Sequence, residues 1–151
     1  MKLYKIAAIC AFTLLSTGSV FAQAKKHVAK RVTKRTTSSL SASIGRGKLV
    51  YSKICITCHM VDGLGSGNMF PPLAKTTFVL GPKPALAAIV LNGLNTPIDV
   101  GDQTFSNVMP AQDFLKDQEI ADVLTYVRNN FGNKASAVTV AEVKKARAVK
   151  K

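Results

Sequence analysis

Tryptophan is absent, cysteine occurs three times and histidine twice, and only 8 Asp and Glu offset 21 Lys and Arg in 151 residues. Three cysteines are too few for a disulfide-rich scaffold. No internal repeat is present at any period, which excludes a solenoid. No run of alternating apolar and polar residues is long enough to argue for a sheet. Apolar residues still make up 47% and charged residues 19% of the chain, so it is not disordered throughout. The length suits one ordinary domain and is short for two.

Long apolar runs are also scarce. The one that stands out, Ile6–Leu15, has ten residues, half of the roughly 20 needed to span a bilayer. Lys2 and Lys5 precede it, and Ser16–Ala22 follows with small residues where a signal peptidase cuts. This is the three-part layout of a secretory signal over residues 1–22. Cleavage is expected after Ala22, with Ala24 the second choice; the competing reading is an uncleaved anchor helix that keeps the protein at the membrane. Cys10 would leave with the signal. Ile9 stands before it where a lipoprotein signal needs a small residue, so lipidation is not expected.

The positive charge is unevenly spread. Residues 23–48 hold eight bases and no acid, residues 134–151 six bases and Glu142, and residues 49–133 five bases and seven acids. The basicity thus belongs to the extensions and not to the body. Residues 23–43 read as a Ser/Thr-rich basic linker, able to reach on the order of 70 Å when extended. Residues 134–151 read as a basic extension with a short helix, because Thr139 and Glu142 form a capping-box pattern ahead of Val140 and Val143. An exported chain rarely meets nucleic acid, so the expected partner of these tails is an acidic protein or an anionic membrane surface; plain solubility is the bland alternative.

The residues that carry chemistry are Cys55-Ile56-Thr57-Cys58-His59. Two thiols three positions apart share one face of a helical turn, and each can add to one vinyl group of a haem. The next residue then brings an imidazole under the iron. Cys-x-x-Cys-His is the c-type haem attachment spacing, and chance gives it about once in a thousand chains of this length. A zinc site wants four ligands, and beyond these three only the distant His27 remains. A dithiol redox site wants a βαβ setting that nothing before Cys55 provides. Export agrees with the haem reading, since c-type attachment takes place outside the cytoplasm.

The sixth iron position has three candidate states: methionine sulfur, a second histidine, or open. His27 lies in the basic linker and Met60 is too close to His59 to reach the other haem face. Met69 lies ten residues beyond His59 and reads as a gap-filling side chain. Met109, fifty residues beyond, has enough chain to cross the haem, and Pro110 after it stiffens the backbone. Spacing alone leaves Met109 as ligand or as core.

From Gly47 to Asn133 the chain resembles a class I (monohaem) cytochrome c of the bacterial periplasmic type. Gly47 and Tyr51 stand eight and four residues before Cys55, as on that family's N-terminal helix. Pro71-Pro72-Leu73-Ala74 is similar to its post-haem turn, Met109-Pro110-Ala111 to its axial-ligand motif, and Glu119–Arg128 to its C-terminal helix. The resemblance implies one covalent haem c held by Cys55 and Cys58, with His59 and Met109 as axial ligands. It also implies a Pro71 carbonyl orienting the His59 ring and Leu73 in the haem surroundings. Phe70 and Phe105 are further candidates for that dry shell. Lys116 departs from the family's usual Ser or Thr before the last helix.

Periodicity agrees with an all-α domain over 44–133. Ile120, Val123, Leu124 and Val127 make one apolar stripe, with Asp117 and Glu119 in the first turn and Gly132 as a stop. A second helix is expected over 84–91, ended by Asn92-Gly93, and the chain from there to Met109 reads as loop. The expected function is one-electron transfer by an exported, monomeric, periplasmic carrier between redox partners such as an oxidase, reductase or dehydrogenase, with no catalytic residue of its own. The rival class is a peroxidase-like haem enzyme or small-ligand sensor with an open sixth position, which would need polar distal residues.

Overall fold

The computed structural model describes residues 39–149. The expectations placed on the signal segment, Cys10, His27 and most of the basic linker lie outside these residues. The element order is α1 (39–54), α2 (Ile56–His59), α3 (Thr77–Leu80), α4 (Lys83–Asn92), β1 (Ile98–Val100), β2 (Gln103–Phe105), α5 (Asp117–Val127) and α6 (Val140–Ala148).

The chain is helical from the first described residue, so residues 39–43, assigned to the linker from composition, belong to α1. The reason is a partner 79 positions away: Ser43 Oγ donates to Asp122 Oδ1 at 2.5 Å. One turn on, the Arg46 guanidinium takes both carboxylate oxygens of Asp122 at 2.6 and 2.9 Å. Gly47, next on the same face, is where α1 crosses α5. A Cβ there would stand 2.0 Å from the Asp122 carbonyl oxygen, so only glycine allows this approach. Tyr51, 2% exposed, then packs its ring 5.3 Å from those of Tyr126 and Phe131. Its hydroxyl donates to the Met60 carbonyl at 2.7 Å, which fixes the chain where it leaves α2.

The apolar stripe of α5 is buried as its period implies, but Ala121, Asp122, Thr125 and Tyr126 are buried too. The helix is covered by α1, by α6 and by the cavity described below. Its N-terminus lacks a side-chain cap at Lys116; instead Glu119 reaches back to accept from the Lys116 N–H at 2.8 Å. α4 runs Lys83–Asn92, with Pro84 in the first turn, where a missing N–H costs nothing.

α6 is part of the same body. Thr139 Oγ1 accepts from the Glu142 N–H at 3.2 Å, and Glu142 Oε2 accepts from the Thr139 N–H at 2.8 Å, the two arms of a capping box. Val143 is fully buried and Ala146 nearly so, packed on α4 and α5. Lys83 pairs with Glu142 at 3.1 Å and Arg147 with Asp117 at 2.7 Å. Two of the cations counted in the basic extensions, Arg46 and Arg147, are therefore spent on acids of the body.

The loop expected between α4 and Met109 contains a short hairpin. β1 and β2 pair antiparallel with Val100 opposite Gln103, across the two-residue turn Gly101-Asp102. Gly101 has φ +64, the conformation such turns require. Three-residue strands are too short for an alternation to register in the sequence, and the domain remains mostly helical.

Candidate functional site

Cys55 ends α1 with its N–H bonded to the Tyr51 carbonyl, and His59 N bonds back to the Cys55 carbonyl at 3.0 Å. The five residues Cys55–His59 thus form one helical turn, with both thiols half-buried and free. Burial, followed by the neighbouring Cys58, pushes the Cys55 thiol up to about 11.

His59 Nδ1 lies 3.0 Å from the Pro71 carbonyl oxygen. A carbonyl can only accept, so Nδ1 carries the hydrogen. Burial lowers the His59 pKa, against the opposing pull of that Pro71 bond. A neutral ring protonated on Nδ1 leaves Nε2 as a bare lone pair, the form in which imidazole binds a metal.

Two adjoining cavities share His59, Cys55, Pro71 and Met109 in their walls, and Cys58 joins the second. Each holds about 100 Å³ of room for water-sized groups and opens partly to solvent. Leu73 lines the first, and Phe70 and Phe105 the second. Of the remaining wall, the sequence marks the α5 residues as an apolar stripe and does not mark those of α4. α4 supplies Leu86, Ile89 and Val90, and α5 supplies Val123, Leu124 and Val127. α4 is apolar nearly all round, so no stripe marked its inner face; the structure places it between the cavity and α6. Among the described residues, neither cavity has a histidine other than His59, or any Lys, Arg, Asp or Glu, in its walls.

Of the methionines considered, Met109 is the one in the cavity wall; Met69 is 54% exposed on the loop before Pro71. Asn133, 3% exposed, is another residue the sequence did not single out. Its side-chain amide donates to the Leu73 and Val127 carbonyls at 3.0 and 2.8 Å, and its oxygen accepts from the Lys75 N–H at 2.7 Å. It holds the Pro71–Lys75 segment against the end of α5. A lone Asn after a Gly stop carries no signal of such a role.

Residues 44–131 match the cytochrome c family. The chain belongs to that family. It is 34% identical over 113 residues to cytochrome c-552 of Thermus thermophilus, covering 69% of this chain and 86% of that protein. It is 35% identical over 105 residues to the cytochrome c subunit of the quinone alcohol dehydrogenase of Gluconobacter oxydans, covering 67% and 22%. A third relative, the cytochrome c subunit of gluconate 2-dehydrogenase from Pantoea cypripedii, is 35% identical over 127 residues, covering 82% and 27%. The aligned chain spans about a quarter or less of the length of these two dehydrogenase subunits.

As a cytochrome c domain the protein is an electron carrier with covalently bound haem c. The residues present fit that group. The mostly apolar walls of the two cavities carry two free thiols, a neutral imidazole with a bare Nε2, and a thioether. Among the described residues no helix is long and apolar enough to cross a membrane.

Proposed function

We propose that the protein transfers one electron at a time between exported redox partners, with Cys55 and Cys58 tethering the haem and His59 and Met109 as axial ligands. The observation that carries this reading is the His59 ring, set by the Pro71 carbonyl with its acceptor nitrogen bare, in an apolar cavity whose wall also holds the Met109 thioether. Bound haem supplies an iron that alternates between Fe(II) and Fe(III).

The chain's own residues do the rest. Cys55 and Cys58 would hold the haem through thioether bonds to its vinyl groups, an addition that releases no leaving group. Pro71 holds the imidazole so that ligand exchange does not accompany electron transfer. Thioether ligation by Met109 and the apolar wall both disfavour the more charged ferric state, which raises the potential. His59 and Met109 would together occupy both axial positions, which suits electron transfer.

The relatives named as dehydrogenase cytochrome subunits support a dehydrogenase as one partner. The leader-like residues 1–22 support export to the periplasm. The exposed Lys134, Lys144 and Lys145, with the basic residues before α1, supply charge for steering towards an acidic partner or surface. Protein-film voltammetry tests the ligation: Met109→Ala must lower the potential of the holoprotein and open it to carbon monoxide. An unchanged potential removes Met109 from its role.

A further inference from the structure

The Met109 backbone is held almost entirely from the end of α4. Leu94 and Met109 exchange both backbone hydrogen bonds, each at 2.9 Å. The Gln112 N–H donates to the Val90 carbonyl at 2.9 Å, and the Gln112 side-chain amide donates to the Pro110 carbonyl at 2.9 Å. Gly93 sits at the centre of this lacing. It ends α4 with φ +72, its N–H bonded to the Ile89 carbonyl at 2.8 Å. A Cβ on it would stand 2.4 Å from the Met109 carbonyl oxygen, 2.8 Å from Ala111 N and 3.1 Å from the Pro110 carbonyl carbon. All three are backbone atoms of the segment that carries the thioether, so no side chain can swing aside to make room.

We propose that Gly93 is a positioning residue for Met109: its missing side chain lets the 109–111 backbone seat on the end of α4, and Gln112 locks it there. The inference rests on the Met109 ligation proposed above. The helix stop at Gly93 thus has a second task that a turn signal does not reveal. Proline after the methionine, the rigidifying device read from the sequence, contributes an acceptor for Gln112 as well as a fixed φ.

Gly101 provides a control for positive φ, because its φ is +64 while nothing lies within 4 Å of its Cβ position; Gly93 adds a ψ of −175, a region open almost to glycine alone. Gly93→Ala, Gly101→Ala, Gln112→Ala, Gln112→Pro and Met109→Leu are prepared as holoproteins. For each, the weak red-edge band of Met-ligated ferric haem, the rate of carbon monoxide binding to the ferrous form and the thermal midpoint are recorded. Gly93→Ala is expected to lose more than half of the band and to bind carbon monoxide at least tenfold faster. Gly101→Ala should keep both at the wild-type level despite a lower midpoint. Gln112→Ala is expected to shift the rate two- to fivefold.

If Gly93→Ala keeps the band as Gly101→Ala does, while Met109→Leu loses it, the positioning role is wrong and the ligation stands. If Met109→Leu keeps the band, the ligation itself fails and the inference falls with it. Should Gly93→Ala not fold, Gln112→Pro decides, because it removes both the N–H bonded to Val90 and the side-chain amide bonded to Pro110: a wild-type band and rate in that variant overturn the lacing.

Discussion

Replacing Gly47 by alanine tests how closely α1 and α5 must approach to hold the Cys55–His59 turn. The added Cβ would lie 2.0 Å from the Asp122 carbonyl oxygen, 2.5 Å from its carbon and 2.7 Å from Tyr126 Cβ. Ordinary contact begins at 3.4 Å, so the helices must part by more than 1 Å. Neither backbone can rotate away, because Arg46 and Ser43 on α1 are bonded to Asp122 on α5. Forced separation of a packed interface costs roughly 1–3 kcal/mol. The Tyr51–Tyr126 ring contact and the Asp122 bonds loosen with it, which puts the value at the upper end. Alanine's better helix propensity returns about 1 kcal/mol. The net expectation is a loss of about 2 kcal/mol, or on the order of 10 °C in the midpoint of a domain this size. Urea titration of the holoprotein followed by far-ultraviolet circular dichroism gives the number. A Gly47→Ala variant as stable as wild type would refute the crossing geometry.

Three more predictions concern α6. Desolvation pushes the Glu142 carboxyl up, but the Thr139 N–H and hydroxyl and the Lys83 ammonium outweigh it and hold the group below its usual 4.5. Its contribution, roughly 0.5–1 kcal/mol, is therefore full above about pH 5 and fades as the pH falls through the lowered value. Glu142→Gln should lose that amount at pH 7 and little at pH 3, read from midpoints across the pH range. Deleting residues 134–151 removes buried Val138, Val143 and Ala146 and should cost roughly 3–5 kcal/mol. A truncated holoprotein of wild-type stability would show that α6 does not pack. Steering is therefore better probed by Lys144→Glu with Lys145→Glu, which should slow association with an acidic redox partner at low salt while leaving the potential unchanged.

The family and the candidate site were legible because their motifs are local. Cys55, Cys58 and His59 declare themselves within five residues, and the stripe of α5 and the box at Thr139 are patterns of one helix each. What escaped notice depends on pairs distant in sequence. Ser43 reads as linker until Asp122, 79 residues on, accepts its hydroxyl proton. Asn133 has no signal of its own because its partners lie at Leu73, Lys75 and Val127. The hairpin at 98–105 was hidden by strands of three residues, and the inner face of α4 by a sequence apolar on every side. The extension after Asn133 reads as a basic tail with its own short helix, yet Val143 and Ala146 make it part of the core.

The central claim is that one covalent haem c is held between His59 and Met109. An optical spectrum of protein matured with the haem-attachment machinery, together with pyridine haemochrome analysis, tests it most directly. A c-type haemochrome with the weak red-edge band of methionine-ligated ferric haem, lost in Met109→Leu, is the predicted result. A c-type haem without that band would contradict the Met109 ligation, and the absence of covalent haem would contradict the assignment of Cys55, Cys58 and His59.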